Sequence, residues 1–313
     1  MSSTTNVPDD AAVAAAGPVD LPVANSSRIA RAPLLALIGR SLRFGRTRIA
    51  LVMLASVIVV ALLGPDLAPK APNGFVAEPF HPPLSGAPFG TDSLGRDVLS
   101  RFLAGGRLIL GVAAAATALG AIAGALIGIT AAYAKSALDD VLMRLNDVIL
   151  AFPMIVFALL VVSTVGTKPW LLIVTVAVST APRVARVARS AALEIVDREF
   201  VKASELFGER RLAIFARDVL PNIASPLLVE ASLRLTYSIA VVAALGFLGF
   251  GIQPPNPDWG LMIKENQSAL AVQPWPVVLP IAAIAILTIG MNLFADGLSR
   301  ALIGIERKDR NAP

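Results

Sequence analysis

The residue types that carry most enzyme chemistry are nearly missing from this 313-residue sequence. It has no cysteine, which removes disulfides, thiol nucleophiles and zinc–thiolate sites. Its one histidine, His81, stands among Pro79, Phe80, Pro82 and Pro83, so any general-base, metal-cluster or Ser–His chemistry would hang on one residue in an irregular loop. No Gly-x-x-x-x-Gly-Lys-Ser/Thr run occurs, so the chain has no phosphate-cradling loop of that kind. No catalytic residue, cofactor or metal site is expected in it.

Three groups of polar residues are spaced to act together. Gly90, Thr91, Asp92, Gly95, Arg96 and Asp97 put two carboxylates and a guanidinium in one short stretch. They would either contact a ligand or a delivery protein, or cap and fix the amphipathic stretch Ser93–Leu103. The second group is Arg198-Glu199-Phe200-Val201-Lys202-Ala203-Ser204-Glu205-Leu206-Phe207-Gly208, followed by Leu220-Pro221. It predicts a short helix ended by Gly208 and a second helix stopped before Pro221. Such a charged hairpin is either a docking element for a soluble protein or a solvated loop. The third group is Glu230 and Arg234, four apart and so on one helical face. They either line a polar pathway or, if the helix enters the membrane only near Leu233, sit at its surface.

The elements that position these groups are membrane spans. The sequence is 56% hydrophobic with a mean hydropathy of +0.72, and only 16% charged, against about 25% for soluble domains. A span needs about 20 apolar residues. Six segments approach this: Ile49–Leu63, Leu108–Ala132, Val148–Val165, Trp170–Pro182, Ile223–Leu248 and Pro276–Phe294. An all-α integral membrane fold with six transmembrane helices is therefore expected. Residues 1–30 read as a flexible tail, 31–105 as a first span plus a long external loop, 106–305 as a five-span core, and 306–313 as a C-terminal tail. With the N-terminus placed in the cytoplasm, twenty of the 27 basic residues fall in cytoplasmic segments and six in external ones. The opposite topology would reverse that bias, so both termini are expected to be cytoplasmic. The net charge of +5 thus belongs to membrane topology, and no nucleic-acid partner is expected. Gly120, Gly124 and Gly128 in the second span allow a helix to approach closely, either within the chain or from a partner subunit.

Several of these segments resemble one family. The Lys202-Ala203-Ser204 segment, Gly208 and Leu220-Pro221 are similar to the "EAA" loop of permease subunits in binding-protein-dependent ABC importers. Lys202 stands at the Glu position and Asp218 at the Ile position of that pattern. Residues 89–101 resemble the external-loop signature of dipeptide/oligopeptide permeases. Leu245 to Pro255 with Trp259-Gly260 resembles the end of their fifth span, with Gly246 where Ser is usual; Asn292 to Leu298 resembles the end of the last. The resemblance spans about residues 35–305 and implies the second of two membrane subunits, with the type I importer fold. It further implies a homologous permease partner, two ATP-binding subunits that hold the ATP and Mg, an extracytoplasmic solute-binding protein, and an inner-membrane location. Di- or oligopeptides are the substrates it implies first. Nickel-chelate or glutathione import shares the architecture, and an ion-driven transporter is the reading from another class. Glu199, Lys202, Ala203, Ser204, Gly208, Leu220 and Pro221 would then form the ATPase-coupling loop. Glu230, Arg234, Gly246, Gly249 and Gly251 are candidates for the pathway or a subunit interface.

Overall fold

A computed structural model describes residues 39, 41–42, 44–134 and 136–310, with side chains as far as Ala301. The tail expected over residues 1–30 lies outside the described residues. The described elements are helical: α1 Gly45–Leu67, α2 Val98–Ala134, α3 Ala137–Ala151, α4 Met154–Val165, α5 Pro169–Val196, α6 Glu199–Leu206, α7 Arg211–Leu248, α8 Trp259–Asn266 and α9 Trp275–Arg310. Five of them (α1, α2, α5, α7 and α9) are long and apolar enough to cross a bilayer, and α3 with α4 makes a sixth if that pair is one span.

The exception to a simple six-span reading is Val148–Val165. The chain bends by 85° between α3 and α4. Proline explains the break. Pro153 has no N–H to continue the ladder, and its ring drives Phe152 into an extended conformation (φ −86°, ψ 132°).

Two further expectations change. Ser93–Leu103 is not a separate external helix: from Val98 on it is the first turns of α2, which runs 37 residues without interruption. At 1.5 Å per residue that is about 55 Å, well beyond a hydrocarbon core of about 30 Å. α2 is therefore long enough to cross a bilayer and extend beyond it as one rod. The helix before Pro221 does not stop there either. It passes through a π-helical turn at Phe215–Val219, where the Leu220 N–H reaches back to the Phe215 carbonyl. The widened turn takes up the proline, whose missing N–H and ring would otherwise break an α-helical ladder. At the C-terminus, α9 stays helical to Arg310, past the expected start of a tail at 306.

The glycine repeat of α2 is used within the chain. A β-carbon on Gly124 would lie 2.5 Å from the Ala181 carbonyl oxygen of α5, and one on Gly128 2.3 Å from that of Ala185. α2 and α5 thus meet backbone to backbone, the contact small residues allow where no hydrophobic force drives helices together in lipid. Gly124→Leu is expected to force the two helices apart and cost at least the 1–3 kcal/mol typical of overpacking. A loss of thermal stability in detergent, with Gly111→Leu (where a β-carbon would meet open space) as the tolerated control, checks this.

Around that pair the main core gathers Leu54 and Val57 of α1, Ile109 and Val112 of α2, Leu172 and Val176 of α5, Ile239 and Leu245 of α7, and Leu287 of α9. A second core lies at the other end of α2. There Ile129, Ala132, Ile195 and Val196 pack on Val201, Ile214 and Val219 of the hairpin.

Candidate functional site

The hairpin built by α6 and the start of α7 has two faces of different character. Its inner face is the buried trio Val201, Ile214 and Val219. Its outer face carries Leu206 at 88% exposure, Phe207 at 87% and Leu212 at 79%. These apolar side chains are ringed by exposed Glu199, Lys202, Glu205, Glu209 and Arg210, the kind of patch on which partners commonly dock. The turn between the faces is fixed by hydrogen bonds. The Glu209 N–H donates to the Ser204 carbonyl (3.1 Å) and the Gly208 N–H to that of Glu205 (3.0 Å), the paired bonds of a Schellman cap. Gly208 supplies the left-handed residue that cap requires, with φ +75°.

Side chains tie the hairpin to the rods. The Tyr133 hydroxyl at the end of α2 donates to Glu205, Arg211 lies 5.6 Å over the Tyr133 ring, and Phe215 meets that ring edge-on at 5.2 Å. Ser204 Oγ donates to Asp218 Oδ2 at 3.1 Å, so the Asp at the unusual position closes the hairpin with a polar bond. Ala203 is partly buried, while Lys202 and Leu220 point outward. A displacement of the hairpin is therefore felt by α2, α5 and α7 together. Gly208→Val should strain the left-handed position by about 1–2 kcal/mol without a clash, because a β-carbon there would meet nothing within 4 Å beyond its chain neighbours. Gly208→Asn, better tolerated at positive φ, should recover part of the loss; stability of the purified chain reads both.

At the other end of α2 the polar signature is spent inside the protein. Thr91 Oγ1 donates to the Glu78 carbonyl (2.6 Å) and accepts the His81 N–H (2.8 Å). Asp92 is fully buried: Oδ1 accepts the N–H groups of Leu94 and Arg96, and Oδ2 lies 2.7 Å from Arg96 Nε and 3.3 Å from Arg101 Nε. Both arginines also reach Glu265 of α8, at 2.7 and 3.2 Å. Asp97 begins α2, its Oδ2 accepting the Ser100 N–H and hydroxyl at 2.9 and 2.5 Å, an N-cap. Gly90 and Gly95 are required by positive φ and by crowding, since a β-carbon on Gly90 would lie 2.3 Å from the His81 carbonyl and one on Gly95 2.2 Å from that of Ala77. In this geometry the signature residues cap and fix the start of α2. The residue it fixes is not only α2 but α8, about 170 positions away.

Several members of this clamp had no signal in the sequence: Asn73, which accepts from Arg101; Glu265; Asn266, whose Oδ1 accepts the Ser93 N–H; and Gln273, whose amide donates to the His81 and Phe89 carbonyls. Nearby, Asp258 caps α8 through Leu261 N–H (3.0 Å) while its Oδ2 is buried without a partner. Gly246 is needed there, as a β-carbon would come within 2.7 Å of Asp258 Oδ1; Gly251 packs on the Gly246 backbone, and Gly249 ends α7 with φ +87°. All three glycines serve this crowded junction. Burial pushes the Asp258 carboxyl up to about 6, against the opposing pull of the Leu261 and Gly260 N–H groups. The folded state thus holds a proton that the unfolded chain releases near 3.8. Stability is expected to fall as pH rises from about 4 to about 6, by at most about 3 kcal/mol. Asp258→Asn should flatten that slope in a pH series of thermal melts.

Glu230 and Arg234 form a 2.8 Å ion pair on α7, with the Arg234 guanidinium 4.8 Å over the ring of half-exposed Tyr237. Arg234 lies 14 residues from the end of α7, about 21 Å along the helix. Among the described residues no group of three His, Asp or Glu side chains is placed to hold a metal ion.

A family model described as "Binding-protein-dependent transport system inner membrane component" matches residues 124–304, the part that holds the hairpin. The chain is 36% identical over 277 residues to a putative peptide transport system permease protein of Brucella abortus, covering 88% of this chain and 93% of the relative. It is 35% identical over 263 residues to a di/tripeptide transport system permease protein of Pseudomonas aeruginosa, covering 80% and 86%. It is 36% identical over 220 residues to a glutathione transport system permease protein of Pectobacterium atrosepticum, covering 70% and 73%.

Proposed function

This chain belongs to the binding-protein-dependent transport system inner membrane component family, and from that premise we propose that it is the permease subunit of an ATP-driven importer of di- and oligopeptides in the inner membrane. It is a transport component rather than a catalyst. The partners would be a homologous permease, two ATP-binding subunits and an external solute-binding protein. The N- and C-termini and the α6–α7 hairpin would face the cytoplasm, as the arginine distribution favours.

The observation that carries this reading is the hairpin itself: an exposed apolar knob, Leu206-Phe207, on a base welded by a buried core to α2, α5 and α7. The knob would dock on an ATP-binding subunit, with Glu199, Lys202, Ala203, Ser204 and Gly208 shaping the docking helix and Leu220-Pro221 closing it. ATP would be bound and hydrolysed there, with its Mg, and not on this chain. Nucleotide moves the membrane helices only insofar as it binds one of their states better than the other. Glu230, Arg234 and Tyr237 would line the pathway on the cytoplasmic side, a buried charge pair being costly in lipid unless it faces a polar route.

Peptide is preferred over glutathione because the peptide relatives match a larger share of both chains. The test is uptake of labelled dipeptide, tripeptide and glutathione into proteoliposomes holding the complete complex, with ATP enclosed. Peptide uptake that requires ATP supports the assignment. Uptake of glutathione alone transfers it to the second reading, and uptake that follows a proton gradient without ATP removes it.

A further inference from the structure

The helix α6 joins the chain before it at a break and is held at its other end by a side chain from α2. α5 ends at Val196, and Arg198 is extended (φ −70°, ψ 147°), so α5 and α6 meet at a short joint rather than as one rod. The exposed Leu206 and Phe207 lie at the opposite end of α6. A push on them would turn α6 about that joint unless the far end is held. Glu205, in the last turn of α6, supplies the hold. Its carboxylate accepts the Tyr133 hydroxyl, while its carbonyl accepts the Gly208 N–H at 3.0 Å. We propose that Tyr133 is a positioning residue for transport: a strut that carries displacement of the hairpin into α2, without which ATP is hydrolysed and peptide is not moved. This rests on the docking role proposed above for the hairpin.

Tyr133 stands in the last turn of α2 and touches each part of the hairpin. Glu205 comes from α6, Arg211 from the start of α7 (5.6 Å over the ring), and Phe215 from the start of the π-helical turn (edge-on, 5.2 Å). α5 and α7 need no such link, because each runs directly into the hairpin along the chain. From α2 the chain must first pass through α3, α4 and α5. Below Tyr133, α2 meets the hairpin through the apolar core, by Ile129 and Ala132. Apolar contact is non-directional, and packed helices slide past one another by small shears. A hydroxyl-to-carboxylate bond is directional and charge-assisted, so it fixes a register that the core alone leaves free. α2 and α5 touch backbone to backbone at Gly124 and Gly128, so a strut on α2 holds α6 against the pair. At the far end of the same 37-residue helix, Arg101 is buried between Asp92 and Glu265 of α8. A displacement that enters α2 at Tyr133 thus has an unbroken helical path to that clamp.

The test uses the complete complex in proteoliposomes and reads, for each variant, assembly with the ATP-binding subunit, ATP hydrolysis and uptake of labelled dipeptide. Tyr133→Phe keeps the ring, and with it the contacts to Arg211 and Phe215, and loses only the hydroxyl. It should assemble, melt and hydrolyse ATP like the parent, with uptake per ATP hydrolysed reduced at least tenfold. Glu205→Ala should do the same, and the two exchanges together should be no worse than either alone. Glu205→Gln, whose amide oxygen still accepts the hydroxyl, should recover most of the coupling. A merely structural role would lower assembly and melting temperature and leave uptake per ATP where it was. A parental ratio of uptake to ATP hydrolysed in Tyr133→Phe or Glu205→Ala overturns the proposal, and so does loss of assembly in Tyr133→Phe. Exchange of Leu206 and Phe207 for aspartate tests the docking role separately. If that exchange abolishes assembly while Tyr133→Phe stays fully coupled, the strut falls and the docking surface stands; if assembly survives it, both fall.

Discussion

Replacing Leu206 and Phe207 together with aspartate is expected to abolish ATP-driven uptake while the chain still folds. Both side chains are almost wholly in solvent, so neither contributes to the core and the exchange costs little stability. Their value lies in an interface. An apolar anchor buried in a partner's pocket is typically worth 2 kcal/mol or more, about thirtyfold in affinity. Two anchors replaced by carboxylates, which must also be desolvated, should reduce assembly with the ATP-binding subunit by at least a thousandfold. Co-purification of that subunit and uptake should fall together, with helix content and melting temperature of the variant close to the parent. Val201→Asp would mimic the loss of uptake for a different reason, because Val201 is buried under the hairpin, and its melting temperature would fall as well.

Asp92→Ala should be the most destabilising single exchange in the loop between α1 and α2. The Asp92 carboxylate sits between two buried guanidiniums, Arg96 and Arg101, and accepts two backbone N–H groups besides. Truncation leaves those charges with Glu265 alone. Breaking a buried pair from one side costs about 3–5 kcal/mol. The expected consequence is a detached α8 and a loosened start of α2, read as proteolysis in the loop between α1 and α2 and poor recovery from membranes. Glu265→Gln, which keeps shape and hydrogen bonding, should cost clearly less. If Asp92→Ala melted like the parent yet lost uptake, the signature would be a contact site after all.

How much of this was legible beforehand depended on the range of the interaction. The spans were, because a run of twenty apolar residues is a local property. So was the helix end at Gly208, since a glycine readily takes a left-handed cap; the one at Gly249 emerged only in the fold. The break between α3 and α4 had its signal in Phe152-Pro153, but hydropathy averaged across it. Pro221 misled in the opposite direction: the usual consequence of an internal proline is a stop, and a π-helical turn absorbed it instead. The glycine repeat of α2 announced close packing without naming its partner, and α5 proved to be that partner. For the clamp, one half was visible as a charged motif, but the half on α8 and at Gln273 lay far along the chain. Nothing in the spacing of Asp92, Arg96 and Arg101 points to Glu265; only the approach of α8 to the start of α2 brings them together.

The central claim is that the exposed hairpin is where this permease meets its motor. The absence of cysteine from the sequence makes that directly measurable, since Phe207→Cys introduces a unique thiol in this chain. In membranes containing the whole complex, a short bifunctional thiol reagent should cross-link that position to an ATP-binding subunit carrying a single cysteine at its surface. The yield should change when ATP is added, and cross-linking should stop ATP-driven peptide uptake until the link is cleaved. A position 207 thiol that never joins the ATP-binding subunit, in a complex that still imports peptide on ATP, would contradict the account.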